Sequence, residues 1–294
     1  VEALRHALLI GGQDHRVRSR REIAHARMMH AMPDVWQLRI SRAEALAASD
    51  TAASPLLAFY AELLRIQHRA YSRLRANSHG AASGALERDL PAMRSEWRPA
   101  LQAIARVAPQ ALAAEGQQLC DRGEAAIEEA LLSYWYAPSD RQFYPKALLQ
   151  PYAQWLAEAG VAPRGRELAR TDNRCPFCGG VPQLSVLHAA DESPSGGGGR
   201  KLQCATCCTE WPVRRVLCVH CGEEDERKLG YFHSPAFDHL RVDACDACRH
   251  YLKSVDLTRL GVAVPLVDEV AGAPLDIWAR DHGYTKIELN LVGL

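Results

Sequence analysis

The sequence predicts an α+β fold: an N-terminal all-α helical domain, two tandem zinc-ribbon-like metal modules, and a short C-terminal tail. Three observations lead there. From about Arg20 to Gly160 the chain is rich in alanine, leucine and arginine, with apolar residues at helical spacing and no convincing alternating run. Nine of its ten cysteines fall between Cys175 and Cys248, and eight of those nine form four Cys-x-x-Cys pairs, "CPFC", "CATC", "CVHC" and "CDAC". The four pairs belong to an internal repeat, in which a first knuckle leads into a short alternating stretch that loops back to a second knuckle. The expected boundaries are 1-170 for the helical domain, 171-212 for the first module, 213-253 for the second, and 254-294 for a C-terminal segment with a short helix.

The helices follow from apolar spacing. In "SPLLAFYAELLRIQHRAYSRLRAN", Ser54 suits the N-cap and Pro55 the first helical position, and Leu56, Phe59, Tyr60, Leu63, Ala70, Tyr71 and Leu74 form one face. "ANSHGAASGA" reads as a loop, and a second helix follows through Met93, Trp97, Leu101 and Ile104, with Pro91 and Pro99 as expected breaks. Ile127, Ala130, Leu131 and Tyr134 recur at the same spacing, as do Leu148, Tyr152, Trp155 and Leu156 after "APSD". Antiparallel helices joined by short loops suit this pattern. "AGVAPRGRE" closes the helical part.

In the repeat, "CPFCGGVPQLSVLH" and "CVHCGEEDERKLGYFH" end in His188 and His233, and each returns to "LQCATC" or "VDACDAC". The inner cysteines are separated by 25 residues in the first copy and 23 in the second. "ESPSGGGGR" is predicted to be a flexible hairpin tip.

Two thiolates three positions apart can grip one ion, because the tight turn between them aims both sulfurs and several backbone N–H groups inward; two such turns make a tetrahedral four-sulfur site. The repeat favours the sequential pairing: Cys175, Cys178, Cys204 and Cys207 in one site, Cys218, Cys221, Cys245 and Cys248 in the other. An interleaved pairing of the knuckles stays open. Gly179 and Gly222 follow the first knuckles, where a left-handed backbone lets N–H groups reach the sulfurs, whereas Cys208 and Arg249 follow the second. A site closed by four sulfurs has no open position for activating water, so hydrolysis is disfavoured and no catalytic residue is expected. The same geometry accepts structural zinc or a mononuclear iron, and spacing does not choose between them.

Other groups near the knuckles have plainer readings. Cys208 reads as an extra thiol in a turn position rather than a reactive group, and Cys120 as a small buried apolar residue. His188, His220, His233, His239 and His250 read as partly exposed or hairpin-packing side chains, since four cysteines already saturate each ion. "GEEDERK" reads as a solvated acidic turn.

The 294 residues carry 35 basic and 35 acidic side chains, so the whole chain exerts no pull toward nucleic acid or anionic membrane. From Thr171 onward there are 13 basic and 17 acidic side chains, and thiolate ligands would make that half more negative still. No apolar run approaches the roughly 18 residues of a membrane span, and "VEALRHALLI" lacks the pattern of a signal peptide. A soluble, unexported chain with reduced cysteines is expected.

"RCPFCGG", "LQCATCCTEWPVRRVLCVHCG" and "DACDACRHYLK", in this order and spacing, resemble the formate dehydrogenase accessory protein family, FdhE, whose paired rubredoxin-like knuckles follow a helical domain. The likeness is most specific from Arg174 to Lys253 and extends loosely through "LDIWARDHGY". Cys208 stands where the family more often has glycine, and "TKIELNLVGL" departs from the family's tail. The resemblance implies a cytoplasmic maturation factor, not an enzyme, that binds the catalytic subunit of a respiratory formate dehydrogenase. It also implies iron at the eight knuckle cysteines, with zinc as the other candidate occupant; the charge balance and the lack of an apolar span separately predict neither nucleic acid nor membrane as partner. Two other classes compete. A nucleic-acid-binding zinc ribbon would need more than the small patch of Trp211, Arg214 and Arg215, and a thiol-disulfide catalyst would need an exposed pair in a βαβ context.

Overall fold

A computed structural model describes residues 34–49, 51–76, 82–139, 142–165, 173–189 and 199–294. The stretch before Asp34, part of the predicted loop after Ala76, part of the closing "AGVAPRGRE" segment and the predicted hairpin tip up to residue 198 lie outside the described residues.

Among the described residues six helices come first: α1 (Val35–Ala47), α2 (Ser54–Ala76), α3 (Leu86–Val107), α4 (Gln110–Asp121), α5 (Glu124–Tyr136) and α6 (Phe143–Glu158). α2 packs against α3 and α6, and α5 packs against α6. Tyr60, Leu63 and Tyr71 of the predicted α2 face are buried, but so are Leu57, Leu64, Ile66 and Gln67, because this helix has neighbours on more than one side. Ser54 is not the N-cap. Its hydroxyl accepts from the Thr51 N–H at 2.8 Å, while the Ala53 carbonyl accepts the first helical bond, from Leu57 at 2.9 Å.

Pro91 and Pro99 do not break α3; both lie inside one helix. Each costs about 3 kcal/mol in a helix interior, chiefly by freeing the carbonyl four residues earlier. Here both prolines, and Glu87 and Ser95 whose carbonyls they free, are exposed, so water can satisfy those groups. The opposite face buries Leu86, Leu90, Met93, Trp97, Leu101 and Ile104, each worth about 1.5–3 kcal/mol, which outweighs the loss.

Strands follow: β1 (Pro182–Leu187), β2 (Arg200–Cys204), β3 (Glu210–Val213), β4 (Leu229–His233), β5 (Leu240–Cys245) and β6 (His250–Asp256). Each copy of the repeat is a three-stranded antiparallel unit, β1 to β3 or β4 to β6. The two units are not separate hairpins. β1 runs parallel to β6, pairing Leu184 with Lys253 through Leu187 with Asp256, so that both copies join one sheet in the order β3-β2-β1-β6-β5-β4.

Two short helices, α7 (Pro265–Ala271) and α8 (Ala273–Asp281), and β7 (Thr285–Lys286), which pairs parallel to β6, complete the C-terminal segment. α7 packs on β1 and β6 and also against α2. β1 and nearly all of β6 are therefore buried on both faces, which is why β1 reads as a continuous buried run rather than an alternation.

Over this seam lies a buried ionic network. Lys253, Glu269, Asp276 and Lys286 all have side chains at most 1% exposed. Lys253 and Lys286 both contact Glu269 and Asp276, Tyr251 donates to Asp276 at 2.8 Å, and Asn290 donates to Glu269 at 2.8 Å. Two ammoniums facing two carboxylates leave no net buried charge, the condition under which such residues tolerate burial. The α+β order expected from sequence, helices first and cysteine-bearing strands after, holds.

Candidate metal centres

Each knuckle is the same local structure. The residue after the second cysteine adopts a left-handed backbone in all four: Gly179 (φ 71), Cys208 (φ 60), Gly222 (φ 80) and Arg249 (φ 57). Its N–H donates back to the carbonyl of the first cysteine, at 2.9, 3.2, 2.8 and 2.8 Å respectively. For Cys208 and Arg249 this conformation costs about 1 kcal/mol each, which glycine would avoid. The turn imposes it regardless of residue type, so all four knuckles present sulfurs and N–H groups alike. The Thr206 N–H, for example, donates to Cys204 Sγ at 3.3 Å.

The strands carry these turns together in the sequential pairing. Cys175, Cys178, Cys204 and Cys207 form one cluster, and Cys218, Cys221, Cys245 and Cys248 the other, with sulfurs in each within 4.8 Å of one another. Close sulfur pairs are 3.6 Å (Cys175–Cys207) and 3.5 Å (Cys178–Cys204) in the first, and 3.7 Å (Cys218–Cys248) and 3.8 Å (Cys221–Cys245) in the second. A metal–sulfur bond of about 2.3 Å in a tetrahedron requires sulfurs about 3.8 Å apart, whereas a disulfide requires about 2.05 Å. The donor sets fit a tetrahedral thiophilic ion.

The two clusters differ in depth. In the first, Cys175, Cys178, Cys204 and Cys207 are at most 1% exposed and belong to the same hydrophobic cluster as the helices. Gln150 of α6 donates to the Ala205 carbonyl within the CATC knuckle at 3.0 Å. Packing around Gly180 is close: a Cβ there would lie 2.9 Å from Cys204 Sγ and 2.9 Å from the Thr206 hydroxyl. The second cluster is open. Cys221 is exposed and Cys248 half-buried, and Glu223 occupies the place equivalent to Gly180.

A second contact ties α1 to the C-terminal segment. Arg42 of α1 donates to both oxygens of buried Asp268, at 3.0 and 2.6 Å, and His239 Nε2 lies 3.0 Å from the same carboxylate. Burial pushes the Asp268 carboxyl up, but hydrogen bonds from His239, Arg42 and the Val264 N–H, with the Arg42 charge, outweigh it and hold it below the usual range.

The remaining predicted groups fall as follows. Cys120 is buried in the helical core. Cys208 is half-buried against apolar neighbours; burial pushes its thiol up, against the pull of Arg39, which opposes reactivity. His188 lies 3.4 Å from Glu210, and His233 is exposed. The acidic turn is neutralised locally, with Lys228 on Glu223, Arg227 on Asp225 and Arg214 on Glu224. Trp211, the aromatic of the small basic patch, is only 6% exposed and cannot offer a stacking face.

Sequence reasoning missed Arg42, Gln150 and Asp268, which carry no motif, and the pairing of His220 with His250. Those two imidazoles stack with centroids 3.6 Å apart and planes at 8°. The signal lay in the repeat: the first copy has Phe177 and Thr209 at the equivalent places.

Family models match both halves of the cysteine region: "FdhE, central domain" over 174–215 and "FdhE, C-terminal domain" over 216–292. A protein FdhE homolog of Aquifex aeolicus is 36% identical over 121 residues, 41% of this chain and 42% of that protein. One of Edwardsiella ictaluri is 31% identical over 210 residues, covering 69% of this chain and 64% of its own length, so the alignments with these two relatives span less than two thirds of each. The crystal structure of the FdhE protein from Pseudomonas aeruginosa superposes with a TM-score of 0.63 at 25% identity, covering 88% of this chain and 95% of that one. A protein FdhE homolog of Serratia proteamaculans is 30% identical over 280 residues and 88% of both chains, and on that breadth of likeness, with two matched domains, the chain belongs to the FdhE family.

Proposed function

We propose that this protein is a cytoplasmic accessory factor that assists maturation of a respiratory formate dehydrogenase by binding its catalytic subunit. It carries two mononuclear metal sites, with Cys175, Cys178, Cys204 and Cys207 as ligands of one and Cys218, Cys221, Cys245 and Cys248 as ligands of the other. The observation that carries this reading is the pair of four-sulfur clusters, with tetrahedral spacing, in an FdhE-family chain. Four-sulfur closure leaves no position for substrate, which supports a role in binding rather than catalysis. Among the described residues no helix is long and apolar enough to cross a membrane. Iron is the proposed ion on the strength of the family resemblance, with zinc as the other candidate, since a soft four-thiolate set suits either. When bound, it would supply a one-electron couple and rigidity to the module.

The test is affinity capture of the catalytic subunit from cells co-expressing both proteins, with the visible spectrum of the anaerobic preparation. Co-capture with a thiolate-to-iron band that dithionite bleaches is expected. Absence of the subunit would remove the accessory role, and a colourless preparation with zinc in both sites would remove iron.

A further inference from the structure

Both clusters descend from one repeat, yet their surroundings diverge in one consistent direction. The first has no cysteine more than 1% exposed, and Phe177, in the middle of its first knuckle, packs against the core. The second has an exposed cysteine, Cys221, and a histidine in the middle of its first knuckle. His220 is exposed and lies flat on His250, which follows the second knuckle.

We infer that the second cluster is the exchangeable one, and that His220 and His250, with Cys248, form the position through which its ion passes to and from solvent. This rests on the metal-binding reading above. One ring nitrogen of each histidine and the Cys248 sulfur lie within 4.8 Å of one another, so an ion leaving the exposed side of the cluster meets nitrogen donors while still held by Cys248. One ring nitrogen of His250 is held by the backbone. Its Nδ1 lies 2.8 Å from the Cys248 carbonyl, which can only accept, so Nδ1 carries the proton and Nε2 of the neutral ring keeps its lone pair. Fixing one ring nitrogen on a carbonyl so that the other can ligate is the usual arrangement of metal-binding histidine.

The stacked geometry favours transit over residence. Parallel rings direct their lone pairs side by side rather than at one point, so the two imidazoles serve in turn. His220, being exposed, can swing about its side-chain bonds. The exchange balances without a redox partner: a histidine nitrogen replaces the Cys221 sulfur as donor, the released thiolate takes a proton from water, and no electron moves. In the first cluster Phe177 and Thr209 offer no nitrogen, and release requires opening of the core.

The test uses the full chain loaded with zinc(II) and an excess of the chromogenic chelator pyridylazoresorcinol. Two phases of one equivalent each are expected, the faster by at least about tenfold because only the slower needs local unfolding. The fast phase should vanish in Cys221→Ser. In the His220→Ala/His250→Ala double variant it should slow by about tenfold, with two equivalents bound and the circular dichroism unchanged. A single phase for both equivalents, a fast phase that survives Cys221→Ser, or an unaltered rate in the double variant would overturn the inference. Failure of the wild-type chain to bind two equivalents would instead overturn the four-cysteine reading itself, and this inference with it.

Discussion

The two copies of the repeat have the same ligand spacing, the same left-handed turns and sulfurs 3.5–3.8 Å apart, yet one lies in the core and the other at the surface. Ligand geometry is a local property, fixed by turns of four or five residues. Depth is a property of what docks on the module. The helical core, with Gln150 bonded to the CATC knuckle, packs over the first copy, whereas Cys221 of the second stays in water. One repeat can thus supply a structural site and an accessible site in a single sheet.

The largest effect should come from emptying one cluster at a time. Cys175→Ser should destabilise the chain on the order of 5 kcal/mol, a fraction of the 10–16 kcal/mol typical of a structural zinc site, with loss of helical signal, because its cluster is continuous with the helical core. Cys221→Ser should lose one metal equivalent and leave the helical signal intact. Thermal unfolding followed at 222 nm checks both, and equal losses in the two variants would erase the distinction.

A smaller effect should follow from loosening the contact between α1 and the C-terminal segment. Arg42→Ala leaves the buried Asp268 carboxylate with only His239 and a backbone N–H, and should cost about 3 kcal/mol at pH 7. The Asp268 carboxyl is held down in the fold, so its contribution is complete above the unfolded value of about 3.9 and is lost as pH falls through the folded one. Urea midpoints of wild type and Arg42→Ala should therefore converge below about pH 4. A gap independent of pH would show that the arginine acts through packing alone.

The smallest effect should separate the two knuckles whose left-handed residue is not glycine. Cys208→Gly relieves strain at little packing cost and should be neutral or stabilising by up to about 1 kcal/mol. Arg249→Gly relieves the same strain but removes the guanidinium that donates to Asp246 at 2.7 Å and to the His282 carbonyl and lies 3.9 Å from the Tyr284 ring centroid; it should lose about 1 kcal/mol. Urea denaturation compares them, and the same sign for both would show that Arg249 does not clamp its knuckle to the C-terminal segment.

How much of this was legible in the sequence follows from the range of the forces involved. The helix-then-strand order and the grouping of eight cysteines into two sets of four could be read, because apolar spacing and Cys-x-x-Cys turns act over a few residues. Joining of the copies into one sheet could not, since it depends on β1 pairing with β6 about seventy residues away. Nor could the burial of Lys253, Glu269, Asp276 and Lys286, charged residues that reach the interior only because each finds its counter-charge there. Pro91 and Pro99 misled for the converse reason: a local rule for helix breaking gave way to the burial of Trp97 and Leu101 on the opposite face.

Each copy of the repeat is expected to hold its own ion. The most direct test is the metal content, by elemental analysis, of anaerobically purified wild type, Cys178→Ser and Cys221→Ser. Two metal ions per chain are expected, falling to one in each variant, with Cys178→Ser retaining the exposed ion and Cys221→Ser the buried one. Wild-type protein with no metal, or variants that keep both ions, would contradict it.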